Sequence, residues 1–262
     1  MPDQHAVVTE SADTRAAYSG REPFTLGIVG GMGPLATVAF YRTLILRSAA
    51  TRDQDHIRVL IESDPANPDR TEYLIGKGAD PRPAIVGVAR RLEAAGATML
   101  VMPCNTANAF ADEVAAAVST PLVPWVDTAV AHALAHAPRC VGLLATTGTL
   151  RAGIYSDAFR RVGTRTLEPQ AADQREIMSC IYGRRGVKAT GNLAPDMYRR
   201  LLVVARSLAH AGADLLLLGC TELPVAISPD SPDWPVPAID PAVAAADLVI
   251  EAAGLEVRSS YD

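Results

Sequence analysis

Apolar and polar positions along this chain fall into two rhythms. Short runs rich in Val, Ile and Leu are separated by longer segments in which apolar residues recur every three or four positions. The first rhythm is that of buried strands, the second that of amphipathic helices. The runs predict strands at 25–29, 57–62, 99–102, 122–125, 141–145, 164–167, 215–218 and 236–239. The periodic segments predict helices at 36–50, 83–95, 107–118, 128–137, 150–162, 174–182, 195–211 and 242–253. Turns are marked by Gly30-Gly31 and by the proline cluster 65–68. Strand and helix alternate throughout, so the expected fold class is α/β with mainly parallel sheets.

One unit of this pattern occurs twice. Residues 88–104 read VARRLEAAGATMLVMPC and residues 204–220 read VARSLAHAGADLLLLGC, with 9 of 17 positions identical at an offset of 116. Each copy is a helix, an Ala-Gly-Ala turn, an apolar run and a terminal cysteine. The duplication predicts two pseudo-symmetric α/β domains, 24–122 plus 223–262 and 123–222, preceded by a flexible tail at 1–23. Ligands of parallel sheets bind at the carboxyl ends of the strands, which is where each cysteine falls. Two such halves make a cleft with one thiol on each wall. Two equivalent acid/base groups on opposite faces of one carbon suit racemisation.

Composition narrows the setting. The first 22 residues are polar and lack the apolar core of a signal peptide. No apolar run approaches the roughly 20 residues that span a bilayer. Four cysteines without a secretion signal read as reduced thiols, so the expected location is cytoplasmic. A net charge of -5 with no basic cluster offers no case for nucleic acid as a partner. Lys77 and Lys188 are the only lysines, which leaves a pyridoxal phosphate enzyme few places for its Schiff base.

The candidate chemistry clusters after strands. Cys104 and Cys220 lie at predicted strand-to-helix junctions, where free N–H groups and the helix dipole favour a thiolate. Asn105, Thr106, Thr221 and Glu222 follow directly and can hydrogen-bond a thiol or hold a substrate group; Glu222 is the expected thiol-activating residue. The glycine-rich loop 27–34 opens a helix, as anion-binding loops do. Its spacing is not GxGxxG, and Pro34 removes a donor, so it fits a small carboxylate or a plain tight turn. Arg70, in the loop after the second strand, has the fork geometry for a carboxylate. The run 146–149, Thr-Thr-Gly-Thr, can cap a helix or cradle a carboxylate. Cys140 and Cys180 lack such surroundings and read as core. His132 and His136 share a helix face without a third ligand, so no metal site is expected.

On these motifs the chain resembles the aspartate/glutamate racemase family, cofactor-independent racemases that use two cysteines. The motifs are GIVGGMGPLAT (27–37), NPDRT (67–71), MPCNTAN (102–108), ATTGT (145–149), IYGRRGVKATGN (181–192) and GCTELP (219–224). The GGMGP opening and Glu222 look like the aspartate racemase branch. The resemblance implies a homodimer with the substrate between the two domains, no cofactor, and Cys104 and Cys220 as catalytic residues. Cys220 would serve the L-isomer and Cys104 the D-isomer. It further implies Arg70, Thr147 and Lys188 as substrate contacts, with Asn105, Thr106 and Thr221 at the α-amino acid end and Met32 lining the pocket. The expected partner is a small acidic amino acid, aspartate first. The alternatives are a related enzyme acting on maleate, a malonate or a hydantoin, and a non-catalytic amino-acid sensor.

Overall fold

Two parallel sheets share the chain, and a computed structural model describes it over residues 24–258. The expected tail at 1–23 lies outside the described residues. The first half runs β1 (Thr25–Gly30), α1 (Pro34–Arg47), β2 (Arg58–Ser63), α2 (Arg70–Leu74), α3 (Arg82–Ala94), β3 (Met99–Val101), α4 (Ala111–Ala117) and α5 (Trp125–Leu134). The second runs β4 (Cys140–Ala145), α6 (Thr147–Ala152), α7 (Ile154–Arg161), β5 (Arg165–Leu167), α8 (Ala171–Tyr182), α9 (Val187–Thr190), α10 (Pro195–His210) and β6 (Leu215–Gly219). There follow α11 (Leu223–Ala226), β7 (Ala238–Ile239) and α12 (Pro241–Ala252). Proline opens α1, α3, α10 and α12, where its missing N–H has no partner to lose.

The sheets have the orders β2-β1-β3 and β5-β4-β6-β7, with every ladder parallel. The duplication survives in atomic detail. Leu100 forms a parallel bridge with Leu122, and Leu216 pairs with Ala238, both partners displaced by 116 residues. A Cβ on Gly27 would lie 2.6 Å from Leu100 and 2.8 Å from Ala97; one on Gly142 would lie 2.9 Å from Leu216 and 3.1 Å from Ala213. In each half, glycine on the central strand lets the repeated helix–turn–strand unit pack at backbone distance.

The C-terminal segment departs from expectation. Its strand and helix were both expected to complete the first half, but β7 pairs with β6 of the second sheet. α12 and the residues after it do cross over: α12 packs on α1 and α5 and adds Ala245, Ala246, Val249 and Ile250 to the core around Leu26, Ile28, Phe40 and Val101, and Val257 bridges Ser48. Reciprocally, α5, which follows the Leu122 bridge to the first sheet and falls within the expected second domain, sets Ala129, Val130 and Ala133 against Val141, Leu143 and Leu217. A parallel sheet needs helices on both faces. Each half covers one face of its neighbour, and the exchange locks the two together.

Asp240 follows β7 and caps α12, its Oδ1 accepting from the Ala242 N–H at 2.9 Å. Burial pushes its carboxyl up to about 7, although the cap bond opposes the shift. An unfolded aspartate titrates near 4, so between these values the native state binds the extra proton. This contribution to stability is therefore full below about pH 4, falls as the pH rises to about 7, and changes no further above that. Asp240→Asn keeps an acceptor for the cap and should remove the decline. Urea unfolding of both proteins across that window checks it; parallel pH slopes would contradict the assignment.

Candidate active site

The loops after β1, β3, β4 and β6 converge at the carboxyl ends of the two sheets. The turn after β1 requires glycine: Gly31 has φ +88°, and a Cβ there would lie 2.4 Å from the Asp64 backbone. The loop after β3 is pinned by Asn108, whose Nδ2 donates to the carbonyls of Met102 and Cys104 at 3.0 and 2.9 Å. Cys104 and Cys220, both buried, line one small space between the halves. Met32, Arg70, Asn105 and Thr106 line it from the first half; Lys188, Thr221 and Glu222 line it from the second.

Thr146, from the run expected to cap a helix or cradle a carboxylate, joins that lining, as does Tyr182, which sequence reasoning did not single out. Thr147 does not join it. Its backbone N–H meets Met178 Sδ, and its hydroxyl accepts from Gln174 at 3.2 Å. Thr146 caps α6 and also comes within 3.0 Å of the Thr106 hydroxyl. Thr106 also contacts Thr149 at 2.8 Å, and Thr71 bridges Thr146 to the Tyr182 hydroxyl, each at 3.3 Å. This ladder of hydroxyls joins the halves beside the thiols. Gly148 permits the approach, because a Cβ there would lie 2.7 Å from Thr71 Cα.

The two thiols sit in different electrostatic surroundings. The Cys220 Sγ donates to Glu222 Oε2 at 3.1 Å, and Lys188 Nζ donates to Glu222 Oε1 at 2.5 Å. Burial pushes the Cys220 thiol well above its ordinary range; the Glu222 charge adds to this, and Lys188 offsets part of it. The expectation of a ready thiolate at this position is therefore corrected. The helix after it, α11, has only four residues, and Cys104 is followed by a 3₁₀ turn over Thr106–Phe110 where an α-helix was expected. Neither thiol has the N-terminus of a long helix beside it. At Cys220, Glu222 opposes ionisation through its charge while offering the acceptor to which the proton can move.

Arg70 is 7% exposed and lies beside Cys104. Its Nη1 donates to Pro68 O at 3.0 Å and its Nη2 to Met32 O at 3.1 Å, while its buried Nε has no partner. Backbone carbonyls thus hold the guanidinium at the pocket with donors to spare. Burial is the largest influence on Lys188 and opposes its charge, but Glu222, with smaller contributions from Cys220 and Cys104, keeps the ammonium above its usual range. Between the thiols the space measures about 10 Å³, room for a single water. An adjoining cavity of about 330 Å³ shares Arg70, Lys188 and Glu222 and reaches the loops around Gly33 and Asn67. Any amino acid must displace these walls to reach both sulfurs. Among the described residues, no cluster of three His, Cys, Asp or Glu side chains could hold a metal ion, and no helix is long and apolar enough to cross a membrane.

Comparison with known proteins gives the chain's family. Residues 29–249 match the Asp/Glu/hydantoin racemase family. The aspartate racemase of Picrophilus torridus superposes with a TM-score of 0.79 at 32% identity, covering 90% of this chain and 96% of that one. The broad specificity amino-acid racemase RacX of Bacillus subtilis is 24% identical over 207 residues, 76% of this chain and 85% of its own. The glutamate racemase of Pseudomonas putida (strain W619) is 34% identical over 140 residues, 52% of this chain and half of its own. The two parallel sheets, the duplicated units and this match over most of its length lead to one conclusion: the chain belongs to the Asp/Glu/hydantoin racemase family.

Proposed function

We propose that this protein interconverts the L- and D-forms of an acidic amino acid, aspartate first, by a two-base proton transfer between Cys104 and Cys220 without a cofactor. The observation that carries the reading is the convergence of two cysteines, from equivalent positions of the duplicated unit, on one space that also holds Arg70 and Lys188. One thiolate removes the α-proton while the opposite thiol delivers a proton to the other face, so the sum is inversion with no net proton change. Cys220 serves the L-isomer and Cys104 the D-isomer, as the family resemblance implies. The α-proton is a very weak acid, so charge developing on the α-carboxylate needs donors fixed in advance. Asn105, Thr106 and Thr221 offer them, with Met32 packing alongside. Thr146 takes the place expected for Thr147. The cations Arg70 and Lys188 select a second, side-chain carboxylate.

The lysines also support a cofactor-free route. Lys77 is exposed, and Lys188 is held charged against Glu222, whereas a Schiff base forms from a neutral amine. The aspartate racemase from Picrophilus torridus is 32% identical over 90% of this chain, whereas the glutamate racemase of Pseudomonas putida (strain W619), at 34% identity, matches 52% of it; this difference in coverage supports trying aspartate before glutamate. The test is L-aspartate in heavy water with thiol reductant, following the α-proton by NMR and the D-isomer by chiral chromatography, with L-glutamate, L-cysteate, maleate and a hydantoin in parallel. Loss of the α-proton together with D-aspartate formation is the expected result. Turnover of maleate or the hydantoin alone would replace the substrate assignment. Binding of aspartate without exchange would make the cleft a sensor.

A further inference from the structure

Asn105 is 1% exposed and directly follows Cys104, yet one end of its amide is fully engaged and the other is not. Its Oδ1 accepts from Trp125 Nε1 at 2.9 Å and from the Tyr155 hydroxyl. Its Nδ2 is buried without a hydrogen-bond partner. The indole N–H can only donate, so the amide atom facing Trp125 has to be the oxygen. Tyr155 is 1% exposed, and burial pushes its phenol far above its ordinary range, so it keeps the proton it donates. With both lone pairs of Oδ1 occupied, the amide has one orientation, and Nδ2 is left as the donor of a residue that lines the space between the thiols. A buried N–H without an acceptor is costly unless a ligand supplies one.

We propose that Trp125 and Tyr155 are positioning residues that lock the Asn105 amide so that Nδ2 is a preset donor to a carboxylate oxygen of the substrate. The inference rests on the function proposed above for this site. Trp125 opens α5, and Tyr155 lies on α7, with Ala129 of α5 and Tyr155 in one core cluster. The donor on the first half is thus set by Trp125, on the helix that packs against the second sheet, and by Tyr155 of the second half itself. The duplication has no counterpart for it: 116 residues on, Asn105 becomes Thr221 and Trp125 becomes Pro241. The site therefore presents a rigid amide on the Cys104 side alone. An amide held in advance does not reorganise as charge grows on the carboxylate, so its loss should be felt in the transition state more than in binding.

A double-mutant cycle tests this. Tyr155→Phe and Trp125→Phe keep an aromatic ring and remove one donor each; Asn105→Ala removes the amide. In the wild-type background, Tyr155→Phe should lower kcat for L-aspartate by about tenfold, the worth of one hydrogen bond to a charged group, with a smaller change in KM. In the Asn105→Ala background, the same substitution should change kcat less than about twofold, because nothing remains to be positioned. Equal losses in both backgrounds would show that the phenol serves packing alone and would overturn the proposal, as would full activity of the Tyr155→Phe/Trp125→Phe double variant. A readout independent of turnover is the Asn105 side-chain amide signal in ¹H–¹⁵N spectra, assigned by its absence from Asn105→Ala. Titration with succinate should shift this signal in the wild type and shift it less in Tyr155→Phe; no shift in the wild type would overturn the proposal. A wild-type protein that exchanges no α-proton refutes racemisation, while the succinate titration still decides the amide's role.

Discussion

Cys104→Ser and Cys220→Ser proteins should each lose L/D interconversion of aspartate by about three orders of magnitude, within the range that a positioned acid or base contributes. A serine hydroxyl is near in size to a thiol but far less acidic, so the fold should persist while the proton relay stops. The two variants should differ in what survives. With Cys220 facing the L-isomer, Cys220→Ser should still exchange the α-proton of D-aspartate through Cys104, and Cys104→Ser should still exchange that of L-aspartate. NMR in heavy water with each pure enantiomer reads this directly. Exchange of both isomers by either variant would show that a single base reaches both faces and would remove the two-thiol scheme.

The resting state adds a further condition. Cys220 is buried, donates to Glu222, and holds its proton well above the ordinary thiol range. That form is ready to give a proton from the Cys220 side. For Cys220 to act as the base in the proposed scheme, its own proton would first have to leave, and Glu222 Oε2 at 3.1 Å is the adjacent acceptor. In the proposed two-thiol scheme, when Cys104 is the base its proton comes from the substrate, and the Arg70 guanidinium beside it would be a counter-charge for the thiolate that begins the step. Free L- and D-aspartate have equal energies, so if aspartate is the substrate as proposed, kcat/KM must be the same in both directions. The asymmetry of the two thiols can appear only in kcat and KM taken separately and in the exchange surviving in single variants.

Much of this arrangement is legible in the sequence, for identifiable reasons. The strands follow from continuous apolar runs and the longer helices from a 3.6-residue period, which each segment carries by itself. The pairing of Cys104 with Cys220 follows from a repeat that holds its offset for 17 residues. What the sequence left open depends on long-range packing. The division of β7 from α12 is decided by which sheet face lacks cover, not by either segment's own pattern. Thr146 and Thr147 are adjacent hydroxyls, and the helix cap turns one toward the cleft and the other toward Gln174. Trp125 and Tyr155 lie 20 and 50 residues from the amide they hold, with no local signal pointing to it. The Cys220 proton likewise depends on burial, which a strand-end position does not reveal.

Lys188→Met should destabilise the protein by about 3 kcal/mol, and adding Glu222→Gln should restore most of that loss without restoring activity. The Glu222 side chain is 4% exposed and that of Lys188 23%, with the ammonium 2.5 Å from the carboxylate. Removing one partner of such a pair leaves a charge out of water without compensation, whereas removing both charges is often close to neutral. The lower end of the usual loss applies, because Lys188 keeps part of its surface in solvent. For a chain of this size the single variant should melt roughly 6–10 °C lower. The amide that Glu222→Gln introduces would still offer an oxygen to the Cys220 thiol, so the local hydrogen bond survives while both charges go. Calorimetry of the wild type and the three variants checks the prediction, and a single variant as stable as the double would mean that the pair is solvated and has little energetic weight. Recovery of the melting temperature without racemisation would separate the two roles of Lys188, as partner of a buried carboxylate and as cation for the substrate.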